Sequence, residues 1–206
     1  MSSISVAGDV SGAISIAAPS AAGSGVLTLP TGTDTLVGKA TTDTLTNKSI
    51  AATQLTGTIA ASALPAGSVL QVVNGTYSTA TSITSTSFVT TGLTASITPI
   101  SASNKVLIMF STYVSSPATN EAVIATVFRG TVAGTNLGDS SYGFGAAQSP
   151  AVGANTRSVV SATYLDSPST TSSQTYTVAF RIAAAGTGIA QVSGAKSTIT
   201  LMEIAG

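Results

Sequence analysis

Apolar residues recur at every second position through much of the later part of the chain. Tyr176, Val178, Phe180 and Ile182 alternate with Thr177, Ala179 and Arg181. Successive side chains of a strand point to opposite faces, so this spacing predicts a half-buried strand. Val106 to Tyr113 is apolar on both faces, the pattern of a central strand in a sandwich. Further strands are predicted at Val69–Val73, Thr86–Thr90, Leu93–Thr98, Ala122–Arg129, Ser158–Leu165, Ile189–Val192 and Thr198–Ile204. Short strands separated by clusters of Gly, Pro, Ser and Asn predict an all-β protein whose later region is a β-sandwich, jelly-roll-like in connection. No segment sustains a 3.6-residue period, so little helix is expected.

The first third is patterned differently. Gly12-Ala13-Ile14-Ser15-Ile16 and Val26-Leu27-Thr28-Leu29 alternate, but Pro19, Gly23, Gly25, Pro30 and Gly32 interrupt them. No aromatic residue precedes Tyr77, and every Phe and Tyr lies between Tyr77 and Phe180. A composition break at Pro65-Ala66-Gly67 therefore divides residues 1–66, an extended anchor or shaft of short strands, from residues 67–206, the sandwich head. Ordering one residue costs roughly 1–2 kcal/mol, and burying a medium apolar side chain returns only about 1.5–3 kcal/mol. Residues 1–66 carry too few such side chains to fold alone. Either they are disordered, or sister copies or a larger platform order them, and the frequent β-branched residues and alternation favour the second. Thr33-Asp34-Thr35-Leu36 is echoed by Thr42-Asp43-Thr44-Leu45, too few copies for a solenoid. Asp43 or Thr44 is placed to N-cap a short helical turn through Asn47 and Lys48.

Composition narrows the chemistry. Charged residues make up 7% of the chain, against roughly 25% in ordinary globular proteins, and the formal net charge is zero. This balance offers nothing to nucleic acid or to an anionic membrane surface. No apolar run approaches the roughly 18 residues of a spanning helix; the longest, Val106-Leu107-Ile108-Met109-Phe110, has strand length. Met1-Ser2-Ser3-Ile4-Ser5-Val6 lacks the basic and apolar regions of a signal peptide, so synthesis in the cytoplasm is expected. Without His or Cys there is no Ser-His-Asp triad, no thiol nucleophile, no disulfide and no thiolate or imidazole metal site. The acids are Asp9, Asp34, Asp43, Glu121, Asp139, Asp166 and Glu203. A glycosidase needs two of them across a cleft, and Asp139 with Asp166 is the pair that could meet. Asp166 reads as a turn residue in Leu165-Asp166-Ser167-Pro168, and Glu121 and Glu203 read as solvent-facing edge residues. Gly143-Phe144-Gly145 lacks the Lys and setting of a phosphate loop, and the scattered Asn residues form no calcium loop. No catalytic residue, cofactor or metal is therefore expected. The Gly-rich stretch from Thr131 to Asn155 is the one candidate binding loop. It sets Tyr142 and Phe144 beside Asp139 and Gln148, residue types that stack on sugar rings and hydrogen-bond their hydroxyls. The alternative is that both rings pack within the domain or against a neighbouring subunit.

Several phrases resemble those of bacteriophage tail-fibre and virion fibre proteins. They are Gly12–Pro19, Ala22–Pro30, Asp34–Lys48, Gln54–Ile59 with Leu64–Gly67, Ser68–Val73, Ser87–Leu93 with Ser96–Pro99, and Tyr164–Pro168. The match touches most of the chain, through motifs of low complexity. The resemblance implies a homotrimer carried on the virion, its first region anchored to tail, baseplate or capsid proteins and its head outermost, toward a host glycan or protein. It implies a short fibre or spike for host adsorption; the alternatives are a capsid decoration protein and a carbohydrate-cleaving spike.

Overall fold

A computed structural model describes the backbone of Ser3–Ala7 and Ala13–Ala17, and residues 49–51, 53, 56, 57, 59–117, 121–148 and 156–206. The chain divides into two compact units, Met1–Thr56 and Gly57–Gly206. In the first, β1 (Ser3–Ala7) and β2 (Ala13–Ala17) pair antiparallel, with Ser5 opposite Ser15. The alternation around Ile14 and Ile16 predicts β2; the same signal at Ile4 and Val6 marks β1. The predicted Val26–Leu29 strand, the Thr-Asp-Thr-Leu echo and the helical turn near Asp43 lie outside the described residues.

In the second unit a short 3-10 turn at Ala61–Ala63 leads into eleven strands. These are β3 (Val69–Tyr77), β4 (Thr81–Ile83), β5 (Val89–Ile97), β6 (Lys105–Ser116), β7 (Ala122–Arg129), β8 (Thr135–Asn136), β9 (Gly145–Gln148), β10 (Thr156–Asp166), β11 (Gln174–Ile182), β12 (Gly188–Ala190) and β13 (Ser197–Ile204). They form two antiparallel sheets packed face to face as a β-sandwich. Sheet I runs β3-β13-β6-β10, with β12 continuing beside the far end of β6 and β4 beside β12. Sheet II runs β5-β11-β7-β9, with β8 also against β7. With the short β4, β8 and β12 set aside, first pairs with last, and each sheet interleaves early and late strands, the double Greek-key order of a jelly roll.

Alternation decides which side chains meet between the sheets. Val106, Ile108, Phe110 and Val114 of β6 face Tyr176, Val178 and Phe180 of β11, and Leu93, Ile97, Val123, Val127, Ile199 and Leu201 complete the core. Of the two strands predicted at Thr86–Thr90 and Leu93–Thr98, residues 89–90 and 93–97 belong to the single strand β5, interrupted by a bulge, and residues 86–88 lie outside it: Thr94 pairs with Thr177 but Thr90 pairs with Ala179. Gly92 takes φ +86 there, and the hydroxyls of Thr90 and Thr91 accept from the N–H groups of Gly92 and Leu93. β11, predicted to be half-buried, is buried on both faces. The outer face of sheet II is covered by its own chain, since the Phe88 ring meets Phe128 edge-on at 5.8 Å and lies beneath Arg181.

Candidate functional site

The loop predicted to bind is in part ordered strand. β8 and β9 both pair with β7, and an isolated bridge joins Asp139 to Gly143. Asp139 sits at the exposed tip, where its carboxylate accepts from the N–H groups of Ser141 and Tyr142 at 2.8 and 2.7 Å. Those two bonds, with Arg181 nearby, hold it below the usual carboxylate range. Tyr142 projects into solvent, 74% exposed. Phe144 turns the other way, packing its ring 6.0 Å from Phe110 and 5.7 Å from Tyr164 at the margin of the core. Gln148 ends β9 opposite Ala122, with its side chain exposed. The four candidates therefore do not share one surface: Asp139 and Tyr142 are at the tip, while Phe144 is committed to packing. Residues 149–155 of the predicted loop lie outside the described residues.

The remaining described acids are structural. Glu121 and Glu203, expected to face solvent, are buried at 2% and 0% exposure. A buried carboxylate persists only with hydrogen-bond donors around it. Glu121 receives four, the N–H groups of Ala122, Ala183, Ala184 and Ala185, which tie the start of β7 to the turn after β11. Glu203 accepts from Gln71, from Asn104 at 2.6 Å and from the Ile100 N–H at 2.7 Å. Burial pushes its carboxyl up, but the bonds from Asn104, Gln71, Ile100 and Ser101 more than reverse this and hold it below the usual range. Asp166 is not a free turn residue. It ends β10 with its side chain buried, accepting from the Tyr176 hydroxyl at 2.7 Å and pairing with Arg129 at 3.4 Å. Burial, and then Asp166, push the Tyr176 phenol far above its ordinary value. Gln191, buried in the left-handed region at φ 53, satisfies its amide with the carbonyls of Thr91 and Ala190 and the Ser197 hydroxyl. The β-strand parity of Ile199, Leu201 and Glu203 carries the signal for an inward Glu203; no local pattern marks Glu121, whose partners Ala183, Ala184 and Ala185 are distant in the chain.

The outer face of sheet I carries a further surface, on the side of β6 away from the core. Cross-strand register sets Val72, Met202, Leu107 and Leu165 side by side across β3, β13, β6 and β10. The next row is Asn74, Thr200, Met109 and Thr163, and the one beyond is Thr76, Thr198, Ser111 and Ser161. Asn74 donates to Thr200 Oγ1 at 2.9 Å along the second row. A shallow trough of about 400 Å³ runs over Met109, Ser111, Ser161, Thr163, Thr198 and Thr200. Lys105 and Arg157 are the charged residues of these strands whose parity turns them outward, and they stand toward opposite ends of β6 and β10. Among the described residues, no group of three acids converges as a metal site would require, and no helix is long and apolar enough to cross a membrane. No protein-family model matches the chain, and no curated protein matches it.

Proposed function

We propose that this chain is a non-enzymatic structural protein of a virus particle, a short homotrimeric fibre or spike whose first region anchors it and whose sandwich head is presented for host adsorption. One observation carries the non-enzymatic part. Among the described residues the acids are Glu121, Asp139, Asp166 and Glu203; each accepts hydrogen bonds from the fold itself, and three of them are buried. An acid-base pair needs two carboxyls open to a substrate, and Asp166, the proposed partner of Asp139, is occupied by Tyr176 and Arg129. The virion role is supported by the fibre-like phrases of the sequence, and a low-charge chain suits subunit packing because few ions must be desolvated.

Two measurements test it. Light scattering on the purified chain should give a mass of three copies, and a stable single-copy species would reject the trimer. Saturating purified protein should block adsorption of the particle that carries it. Unimpaired adsorption, combined with shell fragility when the subunit is removed, would favour a decoration protein; reducing sugar released from host polysaccharide would favour a cleaving spike.

A further inference from the structure

The two sheets differ in what covers them. On sheet II, Ile124, Thr126 and Ala179 point away from the core and are nevertheless buried by the chain's own segments. Among the described residues, the corresponding outer positions of sheet I have no such cover. Val72 is 56% exposed, Val159 54% and Leu165 46%, and they share the face with Leu107 and Met202. One registered row, Val72, Met202, Leu107 and Leu165, is apolar throughout, and an exposed apolar patch of this kind marks an association surface. The face also accounts for the doubly apolar pattern of β6: Val106, Ile108 and Phe110 fill the core, while Leu107 and Met109 lie half-buried on the outer face.

We propose that the outer face of sheet I turns inward in the homotrimer, so that three copies bury it around their common axis. This rests on the trimeric reading above and names the surface that makes it. Four strands at about 4.8 Å spacing span roughly 19 Å, and three such sheets closed as a triangle stand about 5.5 Å from the axis, close to half of the roughly 10 Å at which sheets pack face to face. Over roughly 30 Å of strand the face has a flat footprint of roughly 600 Å², and its corrugated accessible area approaches the about 800 Å² per partner of a stable interface. Its chemistry fits another copy better than a foreign partner. No acidic side chain lies on it, and its two cations sit far apart toward the ends, so burial desolvates little charge; the Thr, Ser and Asn rows can hydrogen-bond their counterparts.

The test is the double variant Val72→Glu with Leu165→Glu, two positions half-exposed in the lone chain. Sedimentation should fall from three copies to one with an unchanged far-ultraviolet spectrum. A variant that stays trimeric overturns the assignment of this face while leaving the trimer intact, whereas a wild-type chain that sediments singly overturns both. Should the double variant not fold, single-cysteine labelling decides, since the chain has no cysteine of its own. Leu165→Cys should react with a maleimide at least roughly tenfold more slowly than Tyr142→Cys, and equal rates reject the inference.

Discussion

Glu203 keeps its charge at a position with no exposed surface because Gln71, Asn104 and two backbone N–H groups replace the water it has lost. Its carboxyl titrates lower in the folded chain than in the unfolded one. A lowered folded value means the stabilisation is complete above the unfolded value, about 4.3, and is lost as pH falls through the folded one. Urea midpoints should therefore drop as the pH is taken below about 4.3, and Glu203→Gln should flatten that dependence. A variant with the same acid slope as the parent would remove Glu203 from the explanation. Glu121 is held by backbone donors alone, gathering three successive N–H groups from the turn after β11. Residue identity at such positions was legible only in part. Glu203 shares parity with Leu201 and so reads inward once the strand is drawn through it, but the donors that make an inward charge tolerable come from Gln71 and Asn104, far away in the chain. Phe144 is a similar case, since its ring meets Phe110 and Tyr164 across elements that no local spacing connects.

Among the elements, alternation located the long strands well, and β7 falls at the predicted Ala122–Arg129. It failed where glycine served the sheet instead of ending it. Gly92 reads as a breaker, yet its positive φ carries the chain through the bulge in β5, and a Cβ there would strike the Tyr77 ring. β8 and β9 read as loop in the sequence because Thr-Asn and Gly-Ala-Ala-Gln offer neither alternation nor bulk; the edge of β7 recruits them through backbone pairing. Gly75, within β3, lies close against β5 of the other sheet, since an added Cβ would sit far inside contact distance of the Thr94 carbonyl oxygen and crowd Ile199. Gly75→Ala should destabilise the sandwich by about 1–3 kcal/mol, read as a lower thermal midpoint. An unchanged midpoint would mean that β3 can swing away from β5 without loss.

At the scale of the whole molecule, the sandwich was visible from the sequence as a fold class, because spacing and turn residues are local properties. The strand order was not. Which strands pair is settled by how the sheet's core faces fit together, and a period-two pattern says nothing of partners. The apolar row on the outer face of sheet I is legible in the sequence only as an oddity, the doubly apolar β6, until register brings β3, β13 and β10 alongside it.

The place of β13 has a consequence for how the chain is made. It lies between β3 and β6, bonded to both, and Gln71 is 132 residues from its partner Glu203. While a ribosome still holds Ser197–Ile204, two early strands flank an empty slot, and their inward Val73, Ile108 and Phe110 await Ile199 and Leu201. Non-local closure of this sort is slow, so nascent chains spend their most adhesive moments unfinished and dependent on chaperones or on prompt release. Removing residues 197–206 should leave no cooperative melting transition by circular dichroism, and a shortened chain that still melted cooperatively would show that β3 and β6 can zip together without their intended neighbour.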